Sequence, residues 1–224
     1  MLLSLSELAL VNLDKRQVID PYLCGYGCKL SEVVLNGMTR DILWLFTIPL
    51  NGQELPSSVG SWAGDRVLIL DEYAGRVSDY FNPGEYEPAS SNSQVLDYVL
   101  EHFTPIKCPK YRGEKGLDML FPNNHVWVAR NFDKKWYVRS DVLIRKPSNR
   151  VGPYNKEGLG FGDFFLAVLG AAGMPMPGYC GGDRFDLRSM EEVMEEDGWA
   201  DKSLEALAGV DFFSEEHFGY GRHI

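Results

Sequence analysis

Apolar and polar positions alternate on either side of a short charged segment near the start of the chain. The runs ELALVN and QVID flank Leu13–Arg16, whose last three side chains are charged. A period of two is typical of a strand that buries one face, and two such runs joined by a short polar segment are typical of a hairpin. The pattern therefore predicts a β-hairpin that carries its charged residues at the tip.

A second alternating region has the same form. The runs HVWVARN and KWYVRSDVLI meet at Asn131–Lys135 and are rich in β-branched and aromatic residues, which favour strands. The segment NLDKR at Asn12–Arg16 is answered there by NFDKK, 119 residues later. The sequence predicts a second hairpin, in which strand alternation buries Trp127 and Tyr137.

Two further correspondences follow in the same order. Asp41 precedes the apolar run ILWLFTIPL, and Asp163, 122 residues later, precedes FFLAVLGAA. The segment AGDR at Ala63–Arg66 is answered by GGDR at Gly181–Arg184, 118 residues later. The drift in spacing requires only one insertion and one deletion, both in glycine- and proline-rich connections that tolerate length changes. We interpret the three correspondences as an internal duplication.

The remaining elements are predicted from local patterns. Asp41 and Asp163 are each placed to cap a short buried helix. RVLILDEY is typical of a buried strand, whereas RFDLRSME favours a weaker strand that leads into a helix opened by a capping box, Ser189 to Glu192. In SNSQVLDYVLEHF the apolar residues that share one helical face are Val95, Tyr98, Val99 and Leu100.

Together these elements predict an α+β fold built as a tandem duplication. Each unit of roughly 110 residues is expected to contain a hairpin, a short helix and a further strand, with an approximate two-fold axis relating the units. We place the first unit and its trailing helix at 1–105 and a connector at 106–124. The second unit, with C-terminal helices and a docked tail, is placed at 125–224.

Composition narrows the class of protein. The chain has 224 residues, 45% of them hydrophobic, which is sufficient for a sizeable core. It has no apolar run of roughly 18 residues, as a spanning helix requires, and its first residues lack the basic start of a signal peptide. Four cysteines are too few for a disulfide scaffold. We therefore expect a soluble, acidic, cytoplasmic protein with reduced thiols, no cofactor and no membrane partner.

Charge is distributed unevenly within a net charge of −10. Residues 107–150 carry 11 basic and 4 acidic side chains, whereas 1–106 and 151–224 each carry 14 acidic side chains, against 6 and 5 basic ones. The basic middle either meets the acidic ends within the fold, which we favour, or receives an anionic partner. Its aromatic residues suit stacking on bases, but the acidic remainder would repel a long polyanion, so we do not expect nucleic acid as a partner.

The repeated Gly-Asp-Arg turn is the main candidate for chemistry. Aspartate at a turn can bind backbone amides or a cation, and arginine can pair with a carboxylate or a phosphate. The same two side chains can also brace the turn from inside, and we favour that structural interpretation. Asp65, Asp71 and Glu72 surround one strand, but their spacing is not that of a known calcium loop.

Other catalytic or metal-binding patterns are incomplete. Cys24 and Cys28 have a C-x₃-C spacing that is neither the redox pair C-x-x-C nor half of a typical zinc knuckle. The sequence contains no G-x-S-x-G elbow, no P-loop and no dinucleotide-binding glycine motif. A zinc site that gathers all four cysteines, and a catalytic pair of Cys180 with a histidine, are weaker alternatives.

Two segments resemble a set of uncharacterised bacterial and fungal proteins. Asp14–Gln17 followed by Asp20-Pro21 matches the form D-K-[KR]-Q…D-P, and Gly60–Arg66 matches G-S-W-A-G-D-R. The resemblance covers about the first 105 residues well and the second copy in outline. It implies membership of one family, and it implies no particular activity or catalytic residue.

We predict a non-enzymatic protein-binding or adaptor protein that recognises another protein through a surface between the repeats. Apolar and aromatic residues account for most of the repeated positions, whereas no acid–base or nucleophile set is repeated. One alternative is a hydrolase or transferase acting on a small phosphorylated or nucleotide substrate, and another is a structural subunit of a larger assembly. The candidate binding residues are Trp62, Asp65, Arg66, Trp136, Asp183 and Arg184.

Overall fold

The computed structural model has a mixed α+β fold with two four-stranded sheets and few helices. It describes residues 8–29, 32–33, 38–50, 55–109, 125–143 and 180–206. The predicted helix after Asp163, most of the connector at 106–124 and the C-terminal tail lie outside these residues. Among the helices of the described residues, none is both long and apolar enough to cross a membrane.

The first sheet is built on the hairpin predicted from the alternating pattern. Its strands stand in the order β3-β1-β2-β4, with β1 antiparallel to β2 and β3, and β2 parallel to β4. They are β1 Leu8–Asn12, β2 Gln17–Ile19, β3 Val67–Asp71 and β4 Thr104–Pro105. Asn12 is in register with Gln17 on one side and Val67 on the other. The hairpin prediction is confirmed, and its loop has four residues.

A helix covers one face of this sheet. The predicted helix is confirmed as α2, Val95–His102, and it follows two short 3₁₀ turns at Val77–Asp79 and Pro88–Ser90. The side chains that pack between α2 and the sheet come from the helix and from alternate positions of β1 and β3, as a period of two requires. They include Ala9, Val11, Leu13, Leu68, Leu70, Val95, Leu96, Tyr98 and Val99, with Leu100 partly buried beside them.

The helix predicted after Asp41 is present, but its predicted cap is wrong. Helix α1 spans Met38–Phe46, so Asp41 lies inside its first turn, where it is buried. The helix ends before the predicted apolar run is finished, because the residue before Pro49 is disfavoured in helical conformation. Instead, Thr47 forms a parallel bridge with Leu187, and Ile48 donates its N–H to the Leu187 carbonyl at 2.8 Å.

The second sheet has the same order of strands and the same directions. Its order is β7-β5-β6-β8, with β5 antiparallel to β6 and β7, and β6 parallel to β8. The strands are β5 Trp127–Asn131, β6 Trp136–Arg139, β7 Phe185–Ser189 and β8 Ala200–Asp201. Helix α3, Met190–Val193, begins after Ser189, whose Oγ accepts the Glu192 N–H at 3.4 Å, so the Ser189 side of the predicted capping box is confirmed.

Two compact units make up the structure, and neither is continuous in sequence. The first holds the described residues up to Met38, those of Asp65–Cys108, and 180–183. The second holds the described residues of Thr39–Gly64, Pro109, those of 125–143, and those from Arg184 onward. The chain therefore passes between units inside each Gly-Asp-Arg turn, after Gly64 in the first and after Asp183 in the second.

Candidate functional site

The two hairpin loops adopt the same conformation at the same position. Each loop has four residues, and the last of them has a positive φ angle, 51° at Arg16 and 55° at Lys135. A left-handed residue in a four-residue loop lets the chain reverse between paired strands. This conformation is uncommon for side chains other than glycine, asparagine and aspartate, so its occurrence at both positions marks a shared loop geometry.

In the first unit the hairpin tip binds the Gly-Asp-Arg turn. Asp14 accepts the backbone N–H of Arg66 at Oδ2 over 2.9 Å and the guanidinium Nε at Oδ1 over 2.7 Å. The hydrogen bond with Asp14 raises the pKa of Arg66, and Glu85 reinforces this at 3.5 Å. The two repeated sequence motifs are therefore partners in one contact.

Asp65 is held by the same hairpin. Its Oδ2 accepts the Asn12 side-chain amide at 2.8 Å and the Lys15 ammonium at 2.6 Å. Asn12 is wholly buried, and its Oδ1 accepts the Lys15 backbone N–H at 2.8 Å. Because Asn12 is a buried polar side chain, it must be hydrogen-bonded, and Asp65 supplies part of that requirement.

The second unit repeats this arrangement at the matching residues. Asp133 accepts the backbone N–H of Arg184 at 2.6 Å and lies 3.5 Å from its guanidinium. Asn131, also fully buried, accepts the backbone N–H groups of Asp133 and Lys134 at 3.0 and 2.9 Å. In both units an asparagine shapes the hairpin loop while the loop aspartate fixes the arginine of the turn.

The other residues predicted to bind a partner are placed differently. Trp62 is completely buried in the second unit and meets Phe46 edge-on, with ring centroids 6.1 Å apart. Trp136 is half-buried on β6 and meets Phe185 at 6.0 Å. Asp183 lies in the first unit, where its backbone carbonyl accepts the Val67 N–H at 3.2 Å. The structure brings Asp65 and Arg66 onto one hairpin tip, whereas Trp62, Trp136 and Arg184 belong to the second unit.

The second sheet carries a buried ion pair on one face. The equivalent face of the first sheet carries apolar side chains instead. Arg130, only 1% exposed, binds Asp186 through Nε and Nη2 at 2.8 and 2.7 Å. Its Nη1 reaches Glu196 at 2.7 Å, and its guanidinium lies 4.9 and 4.8 Å from the ring centroids of Phe132 and Trp199. Partial burial opposes ionisation of Glu196, but its hydrogen bond with Arg130 prevails and lowers its pKa.

The first sheet ends in two turns that expose large apolar side chains. Tyr22 and Leu23 follow β2 and are 46% and 76% exposed, and Tyr73 follows β3 and is 79% exposed. Asp20 Oδ1 accepts the N–H groups of Tyr22 and Leu23 at 2.9 and 3.2 Å, and Asp71 Oδ1 accepts that of Tyr73 at 2.9 Å. Carboxylates therefore fix the backbone that presents each exposed side chain.

Sequence reasoning missed the pairing of the two repeated motifs and the exposed turns. The first was detectable, because Asp14 and Arg66 recur together as Asp133 and Arg184 at nearly the same separation. The exposed turns leave no periodic signal in the sequence, since the alternation of a strand stops where its turn begins. In the described part of the chain, no group of three or more His, Cys, Asp and Glu side chains is arranged to hold a metal ion.

The chain was also compared with known proteins. It matches no protein-family model, no curated protein and no solved structure.

Proposed function

We propose that this chain is a non-enzymatic protein-binding or adaptor protein, and that it binds its partner through the exposed turns of the first unit. The observation that carries this proposal is the exposure of Tyr22, Leu23 and Tyr73 on turns whose backbone is already fixed. A tyrosine that contributes a large contact area without a large entropic cost is a frequent anchor in protein interfaces.

Strand register supports a single surface. β2 and β3 both run antiparallel to β1, and both end beside its first residues, with Ile19 opposite Leu10 and Asp71 opposite Leu8. The two turns therefore leave the sheet at the same end. Because neighbouring strands lie about 4.8 Å apart, β2 and β3 are separated by roughly 10 Å across β1, which is within the width of one small interface. We define this set, Tyr22, Leu23 and Tyr73, as the apolar turn surface.

Rigidity of the turns supports recognition of another protein. Tyr26 donates its N–H to the Pro21 carbonyl at 2.9 Å, which closes the turn that carries Leu23. Ala74 donates to the Asp71 carbonyl at 3.1 Å, which closes the turn that carries Tyr73. An interface that is ordered before binding loses less conformational entropy when the partner arrives.

Charge indicates the chemistry of the partner. Asp71 and Glu72 adjoin Tyr73, and burial together with the neighbouring Glu72 raises the pKa of Asp71. A basic side chain from a partner would offset the mutual repulsion of these two carboxylates. The partner that fits is a protein segment in which an aliphatic or aromatic residue stands beside lysine or arginine.

In this proposal the Gly-Asp-Arg turns position the fold and do not contact the partner. Asp65 accepts hydrogen bonds from Asn12 and Lys15, and Arg66 donates to Asp14. We expect Asp65→Ala to lower the free energy of unfolding by about 1 kcal/mol, since it removes charge-assisted bonds at a partly exposed site. Binding of the partner by the folded variant should be unchanged. If Asp65→Ala lost binding of the partner and kept its stability, Asp65 would belong to the binding surface.

We further propose that the two sheets arose by tandem duplication. This is supported by the matching strand orders, the matching left-handed loop residues Arg16 and Lys135, and the matching pairs Asp14–Arg66 and Asp133–Arg184. In this interpretation the repeat units keep the sequence bounds 1–105 and 125–224, although each compact unit draws on both. Duplication explains the hairpin and its brace, and it leaves the apolar turn surface specific to the first copy.

The proposal is tested by selecting ligands from a displayed peptide library against the purified full chain. We expect selected peptides to combine a basic residue with an aliphatic or aromatic one, and to lose at least ten-fold in affinity for Leu23→Ser and Tyr73→Ser. Leu204→Ser is the matched control, because Leu204 in the second unit is 75% exposed, as Leu23 is 76%. Equal binding by all three variants would contradict the proposed surface.

A further inference from the structure

Two cysteines meet at the end of the first sheet. The backbone N–H of Cys108 points at Cys24 Sγ over 3.4 Å, although the two residues are 84 positions apart. Both lie in the first unit. None of the four cysteines, all of which are among the described residues, forms a disulfide in the structure.

Backbone hydrogen bonds bring these two residues together. Cys24 lies in the turn after β2, where its N–H donates to the Asp20 carbonyl at 3.2 Å. Cys108 follows β4, which runs parallel to β2, and Ile106 continues that pairing by donating its N–H to Val18 at 2.9 Å. Neighbouring parallel strands thus deliver both cysteines to the same end of the sheet.

The separation suits a disulfide. Because an N–Cα bond is about 1.46 Å long, a sulfur 3.4 Å from the Cys108 nitrogen lies within roughly 5 Å of its Cα. A disulfide requires Cα atoms about 4.4–6.8 Å apart, a range that this approach of sulfur to backbone permits.

Exposure assigns different roles to the two thiols. Cys24 is half-buried and can be reached by a small oxidant, whereas Cys108 is 4% exposed. Cys28 is also half-buried, but its N–H and its thiol both donate to Glu32 Oε2, at 2.9 and 3.7 Å. Cys28 is therefore engaged within its own loop, while Cys24 faces the Cys108 backbone.

We propose that Cys24 and Cys108 form a peroxide-sensitive thiol pair that closes to a disulfide. The Cys24 thiolate attacks one oxygen of a hydroperoxide, forming an S–O bond and breaking the O–O bond, so that sulfenic acid and water (or an alcohol) result. The Cys108 sulfur then attacks the sulfenic sulfur, forming the S–S bond and expelling water. The two sulfurs lose two electrons, which reduce the peroxide, and the two thiol protons leave in the oxygen products.

The reaction has a structural consequence at the turn that contains Tyr22 and Leu23. Cys24 adjoins Leu23 in sequence, and a covalent link to Cys108 would tether that turn to the segment that follows β4. Hydroperoxide would thus restrict the turn without a change of fold. This proposal does not depend on the partner proposed above, since its readout is covalent.

The test is peptide mapping of the reduced full chain after treatment with hydrogen peroxide and blocking of remaining thiols with a maleimide. We expect a peptide that contains Cys24 linked to one that contains Cys108, in wild type and in the matched control Cys28→Ser. In Cys108→Ser the link should be absent, and the sulfenic acid on Cys24 should be trapped by dimedone. Addition of a dithiol reductant should release the linked peptides.

Two outcomes would overturn the assignment. One is a disulfide that joins Cys28 to Cys24 or to Cys108 in wild type in place of the expected link. The other is full maleimide labelling of Cys24 after peroxide treatment of a protein whose fold is intact by circular dichroism. A variant that fails to fold does not affect the test, because the wild type and Cys28→Ser decide the linkage.

Discussion

Arg130 and Asp186 face each other across β5 and β7 as a buried ion pair, joined by two hydrogen bonds of 2.8 and 2.7 Å. The pair in the matching register of β1 and β3 is Val11 with Leu68, and both of these are fully buried. The same place in two similar sheets thus accepts either a salt bridge or two aliphatic side chains. Replacing the ion pair of the second sheet with the aliphatic pair of the first sheet tests this contrast.

We expect Arg130→Ala and Asp186→Ala each to lower the free energy of unfolding by about 3 kcal/mol, the lower end of the range for a broken buried pair. Each variant leaves a buried charge with one partly exposed partner, Glu196 for Arg130 and Arg188 for Asp186. The double variant Arg130→Val with Asp186→Leu copies the first sheet and should be close to wild type or more stable. Glu196 would lose Arg130 and Arg188 would lose Asp186, but these two side chains are 44% and 32% exposed and can be hydrated. Urea unfolding followed by circular dichroism measures all three variants.

The double variant shows whether the second sheet requires the ion pair or accepts the aliphatic pair of the first sheet. If it is as unstable as the single variants, the aliphatic arrangement of the first sheet cannot be accommodated in the second. Phe132 and Trp199 would then be the residues responsible, since their rings lie against the guanidinium. Recovery of stability would show that the ion pair is dispensable for folding.

The left-handed loop residue gives a second prediction. Lys135→Gly and Lys135→Ala remove the same contacts of the ammonium with Trp199 and Phe132, and differ in whether the backbone tolerates φ of 55°. We expect the glycine variant to be more stable than the alanine variant by about 1 kcal/mol. Thermal unfolding, monitored by tryptophan fluorescence, compares the two.

Lys134 supplies the control, because its φ is not positive. There the order should reverse, with alanine more stable than glycine by about 0.4–1 kcal/mol, since glycine has more conformational freedom in the unfolded chain. If alanine is the more stable variant at Lys135 as well, the loop relaxes and its left-handed residue is not required.

Asp71 gives a prediction about pH. Burial raises its pKa above the ordinary value of 3.8, so the native state holds the proton more tightly than the unfolded chain does. Ionisation of Asp71 therefore costs stability, and this cost is absent below about pH 3.8 and complete above the raised native pKa. Asp71→Asn keeps an oxygen for the Tyr73 N–H and removes the charge.

Relative to wild type, Asp71→Asn should gain stability as the pH rises from about 3.8 to neutral. Unfolding in urea at a series of pH values measures this difference directly. Glu72→Gln is a suitable comparison, since Glu72 is exposed and should change the pH dependence less. A constant difference between Asp71→Asn and wild type across this range would show that the pKa of Asp71 is not raised.

Local pattern was sufficient to predict the elements that bury a regular face. The first hairpin, the strand at Val67–Asp71 and the helix at Val95–His102 all follow from their periodicity. The helix cap at Asp41 was predicted wrongly, because an aspartate before an apolar run was taken as the start of a helix that begins three residues earlier, at Met38. Of the two rings expected on a buried face, Trp127 is buried, whereas Tyr137 is only half-buried.

The contacts between distant segments could not be predicted in the same way. Asp14 and Arg66 were each recognised as part of a repeated motif, yet their contact depends on the register of β1 with β3. The ion pair of Arg130 with Asp186 depends in the same way on the register of β5 with β7. A period of two identifies the face of a strand, but it does not identify the neighbouring strand or the residue opposite.

The passage of the chain between its units affects the order in which a growing polypeptide can finish its structure. Val67 donates its N–H to Asp183 and accepts that of Gly182, at 3.2 and 2.9 Å, so this part of the outer edge of β3 is covered by residues from the second half of the chain. At a synthesis rate of about 5–20 residues per second, these residues follow Cys108 from the ribosome by roughly 4–15 s. During that interval the nascent first sheet carries an uncovered edge at Val67, the kind of surface on which strands of other chains can add.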